Sequence, residues 1–436
     1  MIFKISKNLI FKSTVFGILA KAIQGVIAFW IVNIIIKSKG EVEYGKWMTI
    51  YSLVSMAGFL DFGLGNHLMN KIAVFNAKED NDSIRKLIFN TFSIYSIVLI
   101  VLYFLFIILY NNYSIALFFS IKDESFNKLI FVTFSLFLIF IYSNIYFSIL
   151  RGLQKSYVAN FIQLITSIIV LFYTFFFVKD KFSFYKISFL SFGIPSIISI
   201  IFLIQYLLSN NIVSKDYVKN LNLKNNINDL KGSFVFFYLQ LAGIIAFQAD
   251  TIILAKFCDL KAVSQYNIVS RLFSIPIIGF SVYYQTLWPL YTHYFAKNNW
   301  SKIKSTYNRT MLFSFFITLL YSLILILCKD LIETIWLDNK VSINMNLIYV
   351  FSIWTIFNTS IANNIGVLLN SLNIVKSQIY LSFIMIILNV FLSILLSNNY
   401  GVVGVVWGSL IASAFVSCLP LSIYIQKIFK KNISYE

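Results

Sequence analysis

Four ionisable residues stand inside long apolar runs of this chain: Lys21, Asp61, Asp250 and Arg271. A charge within hydrocarbon is costly, so such a group faces a partner or a water-filled cavity. Two cations in a low-dielectric cavity attract an anion strongly. Two carboxylates there can take up a proton or another coupling cation. Each half of the chain supplies one acid and one base at a similar depth, which leaves two readings open. The four form two structural ion pairs, or Lys21 and Arg271 bind an anionic substrate while Asp61 or Asp250 binds a coupling ion.

The runs that carry these charges are also the most interrupted. Gly58, Gly63 and Gly65 fall in the stretch GFLDFGLG around Asp61, and Pro276 and Pro289 follow Arg271. Proline removes a helix hydrogen bond and bends the helix. Broken helices at corresponding places in two repeats point to a transporter's moving parts, so these five residues are expected to act as hinges. The bland alternative is close helix packing and ordinary kinks.

Other chemistry is thinly represented. The two histidines, His67 and His293, are far apart and make no metal site, and the three cysteines, Cys258, Cys328 and Cys418, have no metal-ligand spacing. No metal and no cofactor are expected, beyond a coupling H+ or Na+. A phosphate-binding loop of the G-x-x-x-x-G-K-[ST] type is missing, so ATP-driven transport would need a separate protein.

The elements that must hold these residues are membrane helices. Apolar residues make up 59% of the chain and charged residues 12%. About twelve runs near 13–36, 47–66, 87–110, 127–150, 157–178, 184–207, 232–255, 267–291, 310–328, 346–369, 377–397 and 402–425 each approach the ~20 residues that a hydrocarbon core requires. Lipid offers free backbone groups no partners, so the runs must be helices. The expected fold is an all-α integral membrane protein with two six-helix lobes, 1–208 and 232–436. A polar linker, 209–231, joins them.

The halves look related. Ile27-Ala28-Phe29 recurs as Ile245-Ala246-Phe247, Leu150–Gln154 resembles Leu369–Asn373, and Tyr44 aligns with Tyr266. The offsets all lie close to half the chain length, which implies a parallel repeat.

The net charge of +18 might suggest nucleic acid, but the basic residues concentrate on one side of the spans. By the positive-inside rule, that side is the cytoplasm, with both termini and the linker. The excess is therefore an orientation signal with some attraction for anionic lipid heads, and no nucleic-acid partner is expected.

Leu60-Asp61-Phe62-Gly63-Leu64-Gly65-Asn66, followed by Asn70-Lys71-Ile72-Ala73, resembles the Wzx-type polysaccharide flippases of the multidrug/oligosaccharidyl-lipid/polysaccharide (MOP) exporter superfamily. Gln248-Ala249-Asp250 and Tyr266-Asn267-Ile268-Val269-Ser270-Arg271-Leu272 extend the likeness. The resemblance implies a MATE-like fold in the bacterial inner membrane and no enzymatic activity. It implies ion-coupled transfer of undecaprenyl-pyrophosphate-linked repeat units, of O-antigen or capsule type. Polysaccharide polymerase and chain-length proteins are implied partners. Lys21, Arg271, Arg151 and Arg309 are the residues suited to the pyrophosphate. Two rivals are a cation-coupled multidrug exporter of the same superfamily and a membrane glycosyltransferase or polymerase. The second would need acidic or Arg clusters in a long external loop.

Overall fold

A computed structural model describes residues 7–121, 124–178, 183–210, 212, 237, 248–372, 374 and 376–433. Almost all of them are helical, and no strand occurs among them. The expected linker falls almost wholly outside the described residues, as does the first part of the expected span at 232–255.

Eight helical stretches among the described residues are long and apolar enough to cross a bilayer. Their burial pattern fits lipid as the surrounding solvent. Helix α4, Asn81–Asn112, follows α1 (Lys7–Lys39), α2 (Glu41–Met56) and α3 (Leu64–Ala77). It buries Ile84, Leu87, Ile88, Tyr95 and Leu99 along one stripe, while Ile97, Ile100, Phe104 and Ile108 are exposed along another. A helix that is apolar all round belongs in a membrane or deep in a large core.

The chain divides into two compact units, residues 1–38 with 50–244, and residues 39–49 with 245–436. Unit 1 continues through α5 (Ile115–Phe118), α6 (Glu124–Gly152), α7 (Ser156–Tyr173), α8 (Phe184–Ser188) and α9 (Ile194–Ser209). Its core gathers Leu68 and Ile72 of α3, Ile88 and Tyr95 of α4, Ile149 of α6 and Ile162 of α7. Unit 2 contains α10 (Leu260–Ala296), α11 (Trp300–Leu327), α12 (Lys329–Ile335), α13 (Met345–Phe357), α14 (Asn364–Ser371), α15 (Lys376–Ala412) and α16 (Leu419–Ile433). Tyr284 and Tyr291 of α10 are buried in its core with Ile303, Leu368 and Phe429.

Both units repeat one backbone pattern at an offset of 219 residues. Asp80 N–H donates to Phe75 O and Asn299 N–H to Tyr294 O. Asp80 caps α4 by accepting from Ser83 N–H, and Asn299 caps α11 by accepting from Lys302 N–H, each at 3.0 Å. Glu79 and Asn298 just before them both have positive φ, 59° and 52°. The turn after α6 matches the turn after α14: Lys155 N–H to Leu150 O, and Ile374 N–H to Leu369 O. The similarity of Leu150–Gln154 to Leu369–Asn373 therefore has a structural basis. The pairing of Tyr44 with Tyr266 does not. At this offset Tyr44 corresponds to Val263, whose N–H bonds back to Asp259 O as that of Tyr44 does to Gly40 O.

The breaks in the helices differ from expectation in part. The second span is interrupted as its glycines suggest, by a 3-10 turn over Ala57–Asp61 and then two left-handed residues, Phe62 (φ 51°) and Gly63 (φ 72°). Helix α10, by contrast, runs unbroken through Pro276, Gly279 and Pro289. Bound neighbours can compensate the single backbone bond a proline removes within a membrane helix. Four π-helical turns went unforeseen, at Thr174–Val178, Phe189–Gly193, Asn358–Asn363 and Ser413–Cys418.

Candidate functional site: a buried carboxylate in unit 2

The helical residues 248–257 carry Asp250 into the interior of unit 2, where it is only 5% exposed. The Tyr266 hydroxyl of α10 and the Ser409 hydroxyl of α15 both donate to Asp250 Oδ2, each at 2.9 Å. Asn389 Nδ2 in turn donates to Ser409 Oγ at 2.8 Å. The other carboxylate oxygen, Oδ1, is buried and has no hydrogen-bond partner.

Local structure in α15 makes this convergence possible. The helix is two segments either side of Gly401, whose φ of 57° turns the chain back on itself. A Cβ on Gly404 would lie 2.1 Å from Leu396 O, and one on Gly408 would lie 2.7 Å from Ser393 N. The two segments therefore pack backbone against backbone. That packing brings Asn389 and Ser393 level with Ser409 and Val405, where Ser393 Oγ donates to Val405 O at 3.3 Å.

Burying a carboxylate with only neutral donors around it leaves its charge uncompensated, which is expensive. A proton on the group, or a small cation beside it, removes that cost. The bare Oδ1 is an acceptor that such a proton or cation could take.

Arg271 does not neutralise Asp250. No ion pair joins them among the described residues, and Arg271 stands half-buried on α10. Tyr44 is 1% exposed and belongs to the 39–49 segment that packs within unit 2.

Unit 1 holds the other carboxylate in a different setting. Asp61 closes the 3-10 turn, and its Oδ1 accepts from Gly63 N–H at 2.8 Å. The Cα of Gly65 sits so close by that a Cβ there would lie 3.0 Å from Ser148 Oγ of α6 and 3.5 Å from Asp61 Oδ2. Gly58 lies within the turn, so all three glycines border Asp61. Lys21 is exposed on α1, and Gln24 in the following turn donates to Ser167 Oγ of α7 at 3.2 Å. Arg151 and Arg309 are exposed on the last turn of α6 and within α11. The four cations expected to meet a substrate thus stand on four different helices, two in each unit.

Sequence reasoning found Asp250 but missed Asn389, Ser393 and Ser409. Their signal was faint: single polar residues inside the apolar stretches at 377–397 and 402–425. Tyr266 was noticed only as part of a similar motif.

Long apolar helices and a backbone pattern repeated in two units mark a membrane protein of helical-bundle type. Comparison with solved structures gives the same fold. An inward-facing MATE-family multidrug resistance transporter of the MOP superfamily superposes with a TM-score of 0.73 at 15% identity, covering 95% of this chain and 99% of that one. The lipid II flippase MurJ in an inward closed conformation gives 0.71 at 18% identity, over 96% and 90%. In sequence, the chain is similar to the "Putative O-antigen export protein" of Yersinia pseudotuberculosis, 26% identical over 351 residues and 76% of each chain. The model of the family described as "Polysaccharide biosynthesis protein" matches residues 7–295, and that of the MatE family matches 240–395. The chain belongs to the polysaccharide biosynthesis protein family, within the MOP superfamily of transporters and flippases. It is a multi-pass membrane transporter, not an enzyme.

Proposed function

We propose that this protein moves undecaprenyl-pyrophosphate-linked oligosaccharide repeat units across the bacterial inner membrane, from the cytoplasmic to the outer leaflet, by ion-coupled alternating access. The observation that carries the coupling is Asp250, a buried carboxylate with neutral donors on one oxygen and nothing on the other. Such a group favours one protein conformation when a proton or Na+ is bound and another when it is not, because the uncompensated charge is tolerated differently in each. Asp61, bordered by flexible glycine-rich backbone, is the second candidate for ion coupling.

The family match and the O-antigen relative support a glycan substrate. An anionic pyrophosphate suits the exposed cations Lys21, Arg151 and Arg309 and the half-buried Arg271. The lipid tail can stay in the bilayer while the polar head crosses. Polymerase and chain-length proteins would then receive the product on the far side.

The test uses a host that makes the matching repeat unit but lacks this gene. Repeat units should accumulate on undecaprenyl carrier, and expression of the protein should restore surface polymer. Restored resistance to cationic drugs with no polymer would favour the multidrug reading, which the MatE match over residues 240–395 keeps in view.

A further inference from the structure

The two units share a backbone pattern but differ in charge at one matching place, and that difference is the observation that carries an inference. In unit 1 the turn into α4 holds Lys78, Arg85 and Lys86 together with Glu79, Asp80 and Asp82. Arg85 Nη1 lies 3.6 Å from Asp82 Oδ1, so cations and anions are balanced and partly paired. At the 219-residue offset, unit 2 keeps two of the three cations as Lys297 and Lys304, has Ser305 in place of Lys86, and replaces the three acids by Asn298, Asn299 and Ser301. Lys302 and Arg309 add to them, and all four are exposed.

The fold does not require this change. Asp80 and Asn299 cap their helices with the same 3.0 Å bond, so an acid serves the turn as well as an amide does. An aspartate would even suit the helix N-terminus better, because it complements the dipole. Removing acids there costs some helix stability and gains a surface of one sign.

A second element enlarges that surface. Helix α16 buries Leu421, Ile425 and Phe429 in unit 2, and its opposite side ends in the exposed Lys427, Lys430 and Lys431. Phe429 meets Tyr307 of α11 with ring centroids 5.9 Å apart, which sets the lysines of α16 beside those of α11. No acidic residue occurs in sequence between Asp259 and Asp330 or between Asp338 and Glu436.

The surroundings say what lies against this patch. On α11 the exposed residues change from Lys302, Lys304 and Arg309 to Leu312, Phe313 and Phe316 within two turns. On α16 the exposed Ile423 and Tyr424 precede Lys427. Both helices pass from lipid-facing apolar surface to basic surface at the same level, which is the level of the headgroup layer. Cations at that boundary attract anionic lipid heads.

We infer that the paired ends of α11 and α16 form a docking surface for the phosphate groups of anionic membrane lipids, where the matching turn of unit 1 carries acids among its cations. The inference goes beyond the transport reading and does not depend on which substrate is carried.

The experiment compares lipids bound to the purified full-length protein in nanodiscs that mix phosphatidylcholine with phosphatidylglycerol. Native mass spectrometry reads which lipid is retained. The wild-type protein should favour phosphatidylglycerol about tenfold at low salt, since each cation near the surface adds attraction. That preference should shrink at high salt as the charges are screened. The variant K302Q/K304Q/K427Q/K430Q should fall to near parity, whereas R85Q/K86Q at the matching place in unit 1 should keep the wild-type ratio. An unchanged ratio in the quadruple variant would overturn the proposal, and so would an equal loss in both variants. Release of the bound lipid by inorganic pyrophosphate at low salt, with chloride of equal ionic strength ineffective, would also overturn it, since the patch would then be a site for a soluble phosphate.

Discussion

Asp250 is the residue on which the transport reading turns, and its neighbours make distinct predictions. Replacing it by asparagine keeps the size and the hydrogen bonds from Tyr266 and Ser409 but removes the titratable charge. Asp250→Asn is therefore expected to lose surface polymer while protein abundance stays near normal, as judged by immunoblot against polymer yield. Ser409→Ala removes one donor to the carboxylate and the acceptor for Asn389, and should cost about 1–3 kcal/mol at the site. Its expected effect is partial loss of export. Arg271 gives a separate test. Because it makes no ion pair with Asp250 among the described residues, the double change Arg271→Ala with Asp250→Ala should not recover activity lost in Arg271→Ala. Recovery in a matched-expression polymer assay would show that the two charges matter only to each other.

At the scale of elements, the interrupted second span and the continuous α10 lead to opposite expectations. Gly63 has a φ of 72° next to Phe62 at 51°, so Gly63→Leu forces a side chain into left-handed backbone at a cost of about 1–2 kcal/mol. Lower export is expected, with a smaller fall in abundance. Pro276 lies inside an unbroken helix, and Pro276→Ala should leave polymer close to wild type. A large loss there would restore the hinge role that its residue type suggested. The fold-back of α15 is a third case. Gly404→Val would drive a side chain into the Leu396 carbonyl, where even a Cβ has no room. Overpacking of this kind costs about 1–3 kcal/mol or more, and reduced abundance together with loss of export is the expected result.

At the scale of the whole molecule, the repeat at an offset of 219 residues gives the two units a shared backbone pattern while leaving their chemistry free to differ. Unit 1 sets its carboxylate at a helix break and unit 2 sets its own inside a helix core. By the positive-inside rule, the distribution of basic residues predicts that both termini and the 209–231 segment face the cytoplasm. Reporter fusions after Lys231 and after Glu436 should accordingly read as cytoplasmic, and a fusion after Lys122 as external. An external signal from the fusion after Lys231 would undo this topology.

The sequence by itself determined that the chain is a bundle of membrane helices in two related halves. Twenty-residue apolar runs allow no other outcome in lipid, because the backbone must satisfy its own hydrogen bonds. It also marked Asp250 and Asp61, since a charge in such a run stands out by composition alone. Only the tertiary structure decided what those charges meet. Ser409 reaches Asp250 directly, and Asn389 reaches it through Ser409, by way of a reversal at Gly401 and backbone contact at Gly404 and Gly408, across more than a hundred residues of chain. A small polar residue in an apolar helix looks the same in sequence whether it bonds its own turn or a distant carboxylate. Similarly, Pro276 reads as a break in sequence, whereas the helix continues through it. Side-chain type fixes what can be buried, and three-dimensional packing fixes beside whom.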